Sequence, residues 1–131
     1  MKKRGLLNAP LSRVVAEMGH GDLLVIADAG LPIPPSVPRI DLAVRPGLPP
    51  FLDVLDAVLE ELHVEKAIIA TEMIERSPAM YSAVQQRLGS ITIEQVPHED
   101  FKAMTASARA VVRTGECTPY ANVILVSGVI F

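Results

Sequence analysis

Residues that could carry acid–base chemistry stand at the ends of the chain's regular segments. His20 lies in Gly19-His20-Gly21-Asp22, between a helix-like and a strand-like pattern. This segment is either an ordinary polar turn or a site of proton transfer, since a histidine exchanges protons near neutral pH. The order helix, loop, strand and the lack of a third glycine exclude a dinucleotide-binding fingerprint.

Asp28 directly follows the apolar run Leu23-Leu24-Val25-Ile26-Ala27. Ligands of open α/β sheets bind at the carboxyl ends of strands, where an acid could hold a hydroxyl group or orient a histidine. The other interpretation is local, because aspartate in such a place also forms an Asx turn or caps the next segment. Both interpretations stay open on the sequence.

Two further polar segments lie in the second half of the chain. His98 opens a helix-like pattern with Glu99 and Asp100 in its first turn, and it could equally be a tolerated surface residue. The segment 114–122 contains Tyr120 and Asn122, whose hydroxyl and amide groups suit sugar hydroxyls. That segment could equally be an ordinary connection between strands. His63 falls at a helix end and is assigned no function.

The patterns that must position these residues alternate between strand and helix. Apolar runs predict strands at 23–27, 39–43, 67–70, 91–96, 109–113 and 122–126. Helices are predicted after an Asn8 cap, over 51–62, from a Ser77-Pro78 start to about 88, and near 98–106. We therefore predict one α/β domain over 1–131, a three-layer α/β/α sandwich with a mostly parallel sheet of about six strands.

Composition excludes several classes of partner. A net charge of −3 without a basic stripe argues against nucleic acid, and no apolar run is long enough to cross a membrane. The single cysteine, Cys117, forbids an intrachain disulfide and is predicted to be buried or half-buried. Three histidines and one cysteine at wide spacing give no metal pattern. A cytoplasmic protein is expected, and 50% hydrophobic residues suggest surface buried between subunits.

Several stretches together resemble the D-ribose pyranase and L-fucose mutarotase family. They are MKKRGLLN at 1–8, EMGHGD at 17–22, VIADAGLPIP at 25–34, IDLAVRPGLPPF at 40–51, VEKAI at 64–68, HEDFK at 98–102 and RTGECTPYANVILVSGVIF at 113–131. The resemblance covers nearly the whole chain and is loosest over 75–95. The segments around Asp28 and Tyr120 are more similar to the ribose branch than to the fucose branch.

The resemblance implies a function and a set of site residues. It implies cofactor-free and metal-free conversion of β-D-ribopyranose into β-D-ribofuranose, which supplies ribose for phosphorylation. His20 would be the catalytic proton donor, and Asp28 would either orient His20 or bind a sugar hydroxyl. The other implied sugar contacts are His98, Tyr120, Asn122 and the backbone of Ala121. A homodecamer of two stacked pentameric rings is implied, with sites near subunit boundaries. A mutarotase for fucose or another free sugar, and a non-catalytic accessory of ribose transport, stay open.

Overall fold

A computed structural model describes the whole chain, residues 1–131. The chain forms five α-helices and six strands, with a 3₁₀ turn at Thr105–Ser107. In chain order the elements are α1 (Ala9–Glu17), β1 (Leu23–Ala27), β2 (Arg39–Asp41), α2 (Phe51–Leu59), β3 (Val64–Ala70), α3 (Thr71–Arg76), α4 (Pro78–Leu88), β4 (Thr92–Val96), α5 (His98–Met104), β5 (Ala110–Arg113) and β6 (Val123–Ser127).

The strands form one sheet in the order β2-β5-β1-β6-β3-β4. The pairs β1–β5, β2–β5 and β3–β4 are parallel, whereas β6 is antiparallel to both of its neighbours, β1 and β3. The predicted sheet of about six mostly parallel strands is confirmed. The reversed direction of β6 was not predicted, because hydrophobic patterning marks a strand without giving its direction.

Alternating side chains divide the core between the two faces of the sheet. Leu24 and Ile26 of β1 join a cluster of 21 buried residues that includes core-facing side chains of α1, α2, α3 and α4. Val25 and Ala27 point the other way, into a cluster of 10 buried residues with Phe101 of α5. Apart from strand residues, that second cluster contains Phe101 of α5 and the loop residues Leu31 and Val37. Helices were predicted on both faces of the sheet, and they are unevenly distributed: α1 to α4 pack on one face and α5 on the other.

The starts of two helices were predicted from capping residues, with different outcomes. Asn8 caps α1 as expected, since its Oδ1 accepts a hydrogen bond of 3.0 Å from the backbone N–H of Leu11. Ser77 does not cap α4. Its hydroxyl instead donates to the carbonyl of Pro119 at 2.7 Å, which ties the start of α4 to the loop before β6. None of the helices combines the length and apolar character needed to cross a membrane.

Candidate active site

Asp28 and Asn122 form a reciprocal pair where β1 ends and β6 begins. The antiparallel register pairs Ile26 with Val123, so the residues just beyond this pair must meet. The backbone N–H of Asp28 donates to Asn122 Oδ1 at 2.8 Å, and Asn122 Nδ2 donates back to Asp28 Oδ2 at 2.9 Å. Because Asn122 is fully buried, it fixes the orientation of the Asp28 carboxylate.

The second oxygen of the Asp28 carboxylate stabilises the turn that follows β1. Asp28 Oδ1 accepts a hydrogen bond of 2.9 Å from the backbone N–H of Gly30, which is an Asx turn. The local interpretation of Asp28 is therefore correct, and the carboxylate still lines a cavity. A side chain held by two internal hydrogen bonds is pre-organised for a ligand in that cavity.

His98 and Tyr120 also line this cavity. Their ring centroids are 5.0 Å apart with the planes at 86°, an edge-to-face contact. Tyr120 has a φ of 62°, which is unusual outside glycine. The backbone N–H of His98 donates to Glu72 Oε2 at 2.9 Å, so α3 positions the start of α5. His98 Nδ1 is buried without a hydrogen-bond partner in the chain.

The acids beside His98 behave as first-turn residues of α5. Glu99 pairs with Lys102 at 2.7 Å, and this hydrogen bond, with the lysine charge, lowers the pKa of the Glu99 carboxyl. Glu99 is therefore held along its own helix and is not among the cavity residues. The interpretation of Glu99 and Asp100 as helix-start acids agrees with their positions.

The cavity measures about 390 Å³, which lies in the range of small-molecule sites. It brings together three of the predicted site residues, namely Asp28, His98 and Tyr120. The remaining lining residues are Gly30, Leu31, Pro32, Arg76 and Pro119. Asn122 and Ala121 are fully buried behind the wall rather than in it. Arg76, at the end of α3, was missed because α3 itself is too short for a periodic signal.

His20 does not join this cluster within one chain. It lies on the turn before β1, whereas Asp28 follows β1, so at ~3.3 Å per residue the five-residue strand alone separates them by about 17 Å. The possibility that Asp28 orients His20 is therefore wrong for a single chain. The imidazole is 62% exposed, and its Nε2 lies 3.0 Å from Glu65 Oε2.

The turn that carries His20 is anchored to the far end of β6. Gly21, with a φ of 82°, donates its backbone N–H to the carbonyl of Ser127 at 2.8 Å. The N–H of Ser127 donates in return to the carbonyl of Asp22 at 2.9 Å. Asp22 Oδ2 also accepts from the N–H of Gly19 at 2.9 Å. The exposed histidine therefore projects from a well-bonded turn.

The loop before β6 depends on one acid that sequence reasoning left without a role. Glu116 Oε1 accepts from the N–H of Phe51 at 3.1 Å, and its Oε2 accepts from the hydroxyl of Thr118 at 3.0 Å. Thr114 donates its hydroxyl to the carbonyl of Ala27 at 2.8 Å.

Cys117 is exposed, so the prediction of a buried or half-buried thiol is wrong. Nowhere do three or more His, Cys, Asp or Glu side chains converge as metal ligands would.

Fold and cavity together define an α/β protein with a small-molecule-sized cavity at the carboxyl end of β1, lined by Asp28, His98 and Tyr120 among others. The chain matches the model of the RbsD / FucU transport protein family over residues 1–130, and it belongs to that family.

The chain is similar both to D-ribose pyranases and to a fucose mutarotase. A D-ribose pyranase of Laribacter hongkongensis is 59% identical over 100% of both chains, and one of Geobacillus kaustophilus is 53% identical over 100% of this chain and 96% of its own. Among solved structures, Bacillus subtilis RbsD complexed with D-ribose has a TM-score of 0.97 at 47% identity, covering 100% of both chains. A fucose mutarotase from Streptococcus pneumoniae, in complex with L-fucose, has a TM-score of 0.82 at 27% identity, also over 100% of both.

Proposed function

We propose that this protein is a D-ribose pyranase, an isomerase that interconverts β-D-ribopyranose and β-D-ribofuranose. The observation that carries the proposal is the full-length identity of 53–59% to relatives of that name. The cavity at Asp28 supports it, because a free pentose offers the hydroxyls that a carboxylate, an imidazole and a phenol can bind. The whole of 1–131 serves as one sugar-isomerising domain in the cytoplasm, supplying ribose for phosphorylation.

The reaction requires only proton transfers. The anomeric hydroxyl loses its proton, the bond between the anomeric carbon and the ring oxygen breaks, and the ring oxygen gains a proton. The open aldehyde then recloses through a different hydroxyl by the reverse steps. No atom is oxidised or reduced, so the chemistry needs no redox cofactor. A histidine suits both directions, and His20 is assigned as the proton donor to the ring oxygen.

The cavity residues hold the sugar while the ring opens. The Asp28 carboxylate, fixed by Asn122, accepts hydrogen bonds from sugar hydroxyls. His98 and Tyr120, which line the same cavity, bind the remaining hydroxyls. Asn122 supports the Asp28 carboxylate from the buried side of the cavity, and Ala121 is buried next to it in the chain. Because these contacts exist before the reaction, they contribute to substrate affinity as well as to rate.

The site is completed by His20 of the partner subunit. Within one chain His20 and the cavity lie at opposite ends of β1, so they cannot act on one pentose. Exposed apolar side chains provide the surface for assembly: Leu7, Val44, Leu48, Val129, Ile130 and Phe131. A closed ring satisfies every such head-to-tail contact, and two stacked pentameric rings give the proposed decamer.

NMR of ribose exchange, with and without the protein, tests the reaction. Faster pyranose–furanose exchange supports the proposal. Ribose binding without faster exchange would indicate the transport accessory that the family description suggests. Faster exchange of fucose or another free sugar, with none for ribose, would indicate a mutarotase.

Mixing two impaired variants tests the shared site. His20→Ala lacks the donor and Asp28→Ala lacks the cavity carboxylate, so each alone should have strongly reduced activity at ribose concentrations below the wild-type KM. After dissociation and reassembly together, about one site in four receives both intact halves, and about a quarter of wild-type activity should return. No recovery in mixed oligomers would contradict a site built from two chains.

A further inference from the structure

Glu65 is a charged neighbour of His20 that the reaction described above leaves unused. The distance of 3.0 Å between Glu65 Oε2 and His20 Nε2 is a hydrogen bond, and it is the only one that the His20 side chain makes in the chain. Glu65 belongs to β3 and His20 to the turn before β1, 45 positions apart in sequence. The contact is therefore a product of the tertiary fold rather than of local sequence.

An irregularity of β3 presents Glu65 to that turn. In the β3–β6 ladder Val64 pairs with Ser127 and Lys66 with Val126, so Glu65 is an extra residue with no partner. This is a β-bulge, which redirects a side chain and often occurs beside active sites. Regular pairing would place the Glu65 side chain differently on the strand, so the bulge is what brings the carboxylate to His20.

Gly128 provides close packing behind the bulge. A Cβ atom at this position would lie 3.2 Å from Glu65 Cβ and 2.8 Å from His63 Cδ2. A larger residue at 128 would therefore displace Glu65 or His63. Since Ser127 also binds the turn that carries His20, the end of β6 supports both members of the pair.

We propose that Glu65 is a positioning residue that sets the tautomer of His20. A carboxylate accepts hydrogen bonds only, so neutral His20 carries its proton on Nε2 and leaves Nδ1 free. The proton then moves between Nδ1 and the sugar oxygen, in either direction. Glu65 keeps its charge, gains no proton, and stabilises the imidazolium whenever Nδ1 is protonated. The inference rests on the proposed function, in which His20 is the proton donor.

Kinetics of Glu65→Ala and Glu65→Gln test this role. We expect kcat for ribose ring exchange to fall about 10-fold or more, bounded by the ~10²–10⁴-fold that a general acid contributes. KM should stay within about 2-fold, since Glu65 does not line the cavity. Glu94→Gln is the matched control, because Glu94 is similarly exposed (46% against 45%) and pairs with Lys66 rather than with a histidine. An unchanged kcat in Glu65→Ala, or a loss confined to KM, would overturn the proposal.

A double variant separates positioning from general structural damage. In a His20→Ala background, Glu65→Ala should cause no further loss of activity, because its effect passes through the missing ring. A second, independent loss in that background would contradict the role.

Nitrogen NMR of ¹⁵N-histidine protein reads the tautomer without any substrate. The chain has 3 histidines, so His63→Gln and His98→Gln assign the spectrum. At a pH where His20 is neutral, its proton should be on Nε2 in the wild type and distributed over both nitrogens in Glu65→Ala. The same tautomer in both proteins would refute the inference. Wild-type protein that gives the expected tautomer yet speeds no ring exchange would instead refute the proposed function.

Discussion

The two ends of β1 carry different kinds of polar chemistry. At the carboxyl end, Asp28 is held by a fully buried Asn122 through two hydrogen bonds and faces a cavity. At the amino end, His20 projects from a turn with 62% of its side chain exposed and a single carboxylate partner. A binding wall can be assembled inside one chain, because its groups are fixed by buried bonds. The proton donor proposed at the other end is left in water within one chain, and it would be shielded only if another surface covered it.

Removing the imidazole of His20 should have the largest effect and tests the exposed end directly. His20→Ala should lower the ribose exchange rate by about 10²–10⁴-fold, the usual contribution of a general acid, while the fold stays intact. His63→Ala is the control, because His63 is assigned no function. NMR exchange measures the rate and circular dichroism the fold. Near-normal exchange in His20→Ala would move the donor elsewhere, with His98 the next candidate.

Deleting residues 129–131 tests whether the exposed end needs a partner. Ile130 and Phe131 are 89% and 101% exposed in the single chain, as expected of a surface that another subunit covers. The truncated protein should dissociate toward the mass of a single chain, slightly below the 14.1 kDa of the full-length chain, and activity should fall in step with the dissociated fraction. Light scattering beside the exchange assay measures both. A truncated form that stays assembled and active would contradict the link between assembly and catalysis.

Substitutions at the buried pair test the cavity end. Asp28→Ala or Asn122→Ala should weaken ribose binding about 10-fold, or ~1.4 kcal/mol, as well as lowering turnover. Together they should cost less than the sum of the single effects, because each holds the other. Calorimetric titration measures the affinity and thermal unfolding checks stability. Unchanged binding in both variants would place the pocket elsewhere.

Treatment with a strong chelator should have the smallest effect, namely none. The reaction at either end is assigned to side chains alone, and no metal ligands converge in the fold. Ring exchange should be equal before and after chelation and dialysis. Activity that is lost to the chelator and restored by a metal would overturn the cofactor-free prediction.

The regular elements could be predicted because their signals are local. The run 23–27 matches β1, and Asn8 caps α1 as its side chain predicts. By contrast, α3 has six residues, too few to show a helical period, and it begins directly after β3. The direction of β6 depends on its neighbours in the sheet, and a single sequence does not encode those in any local pattern.

The candidate site was predictable as a set of residues but not as an arrangement. The polar residues after β1 and before β6 could be recognised by type, and the structure brings Asp28, His98 and Tyr120 to one cavity. The separation of His20 from them follows from its place at the other end of the strand. Glu65 could not be found from sequence, because its link to His20 depends on a bulge, and a glutamate in a strand carries no distinguishing signal.

Strand β6 runs from the cavity to the turn that carries His20, and it therefore sets the distance between them. The burial of β6 determines how this distance responds to thermal motion. It is hydrogen-bonded on both sides, and all of its residues from Val123 to Ser127 are buried. Such a segment opens only with the largest unfolding events, so its amide protons should be among the slowest to exchange with solvent. Asn122 at one end and the turn contact at Ser127 at the other are thus separated by a rigid spacer. Helices on the surface can fray while the spacing between cavity and histidine turn is preserved.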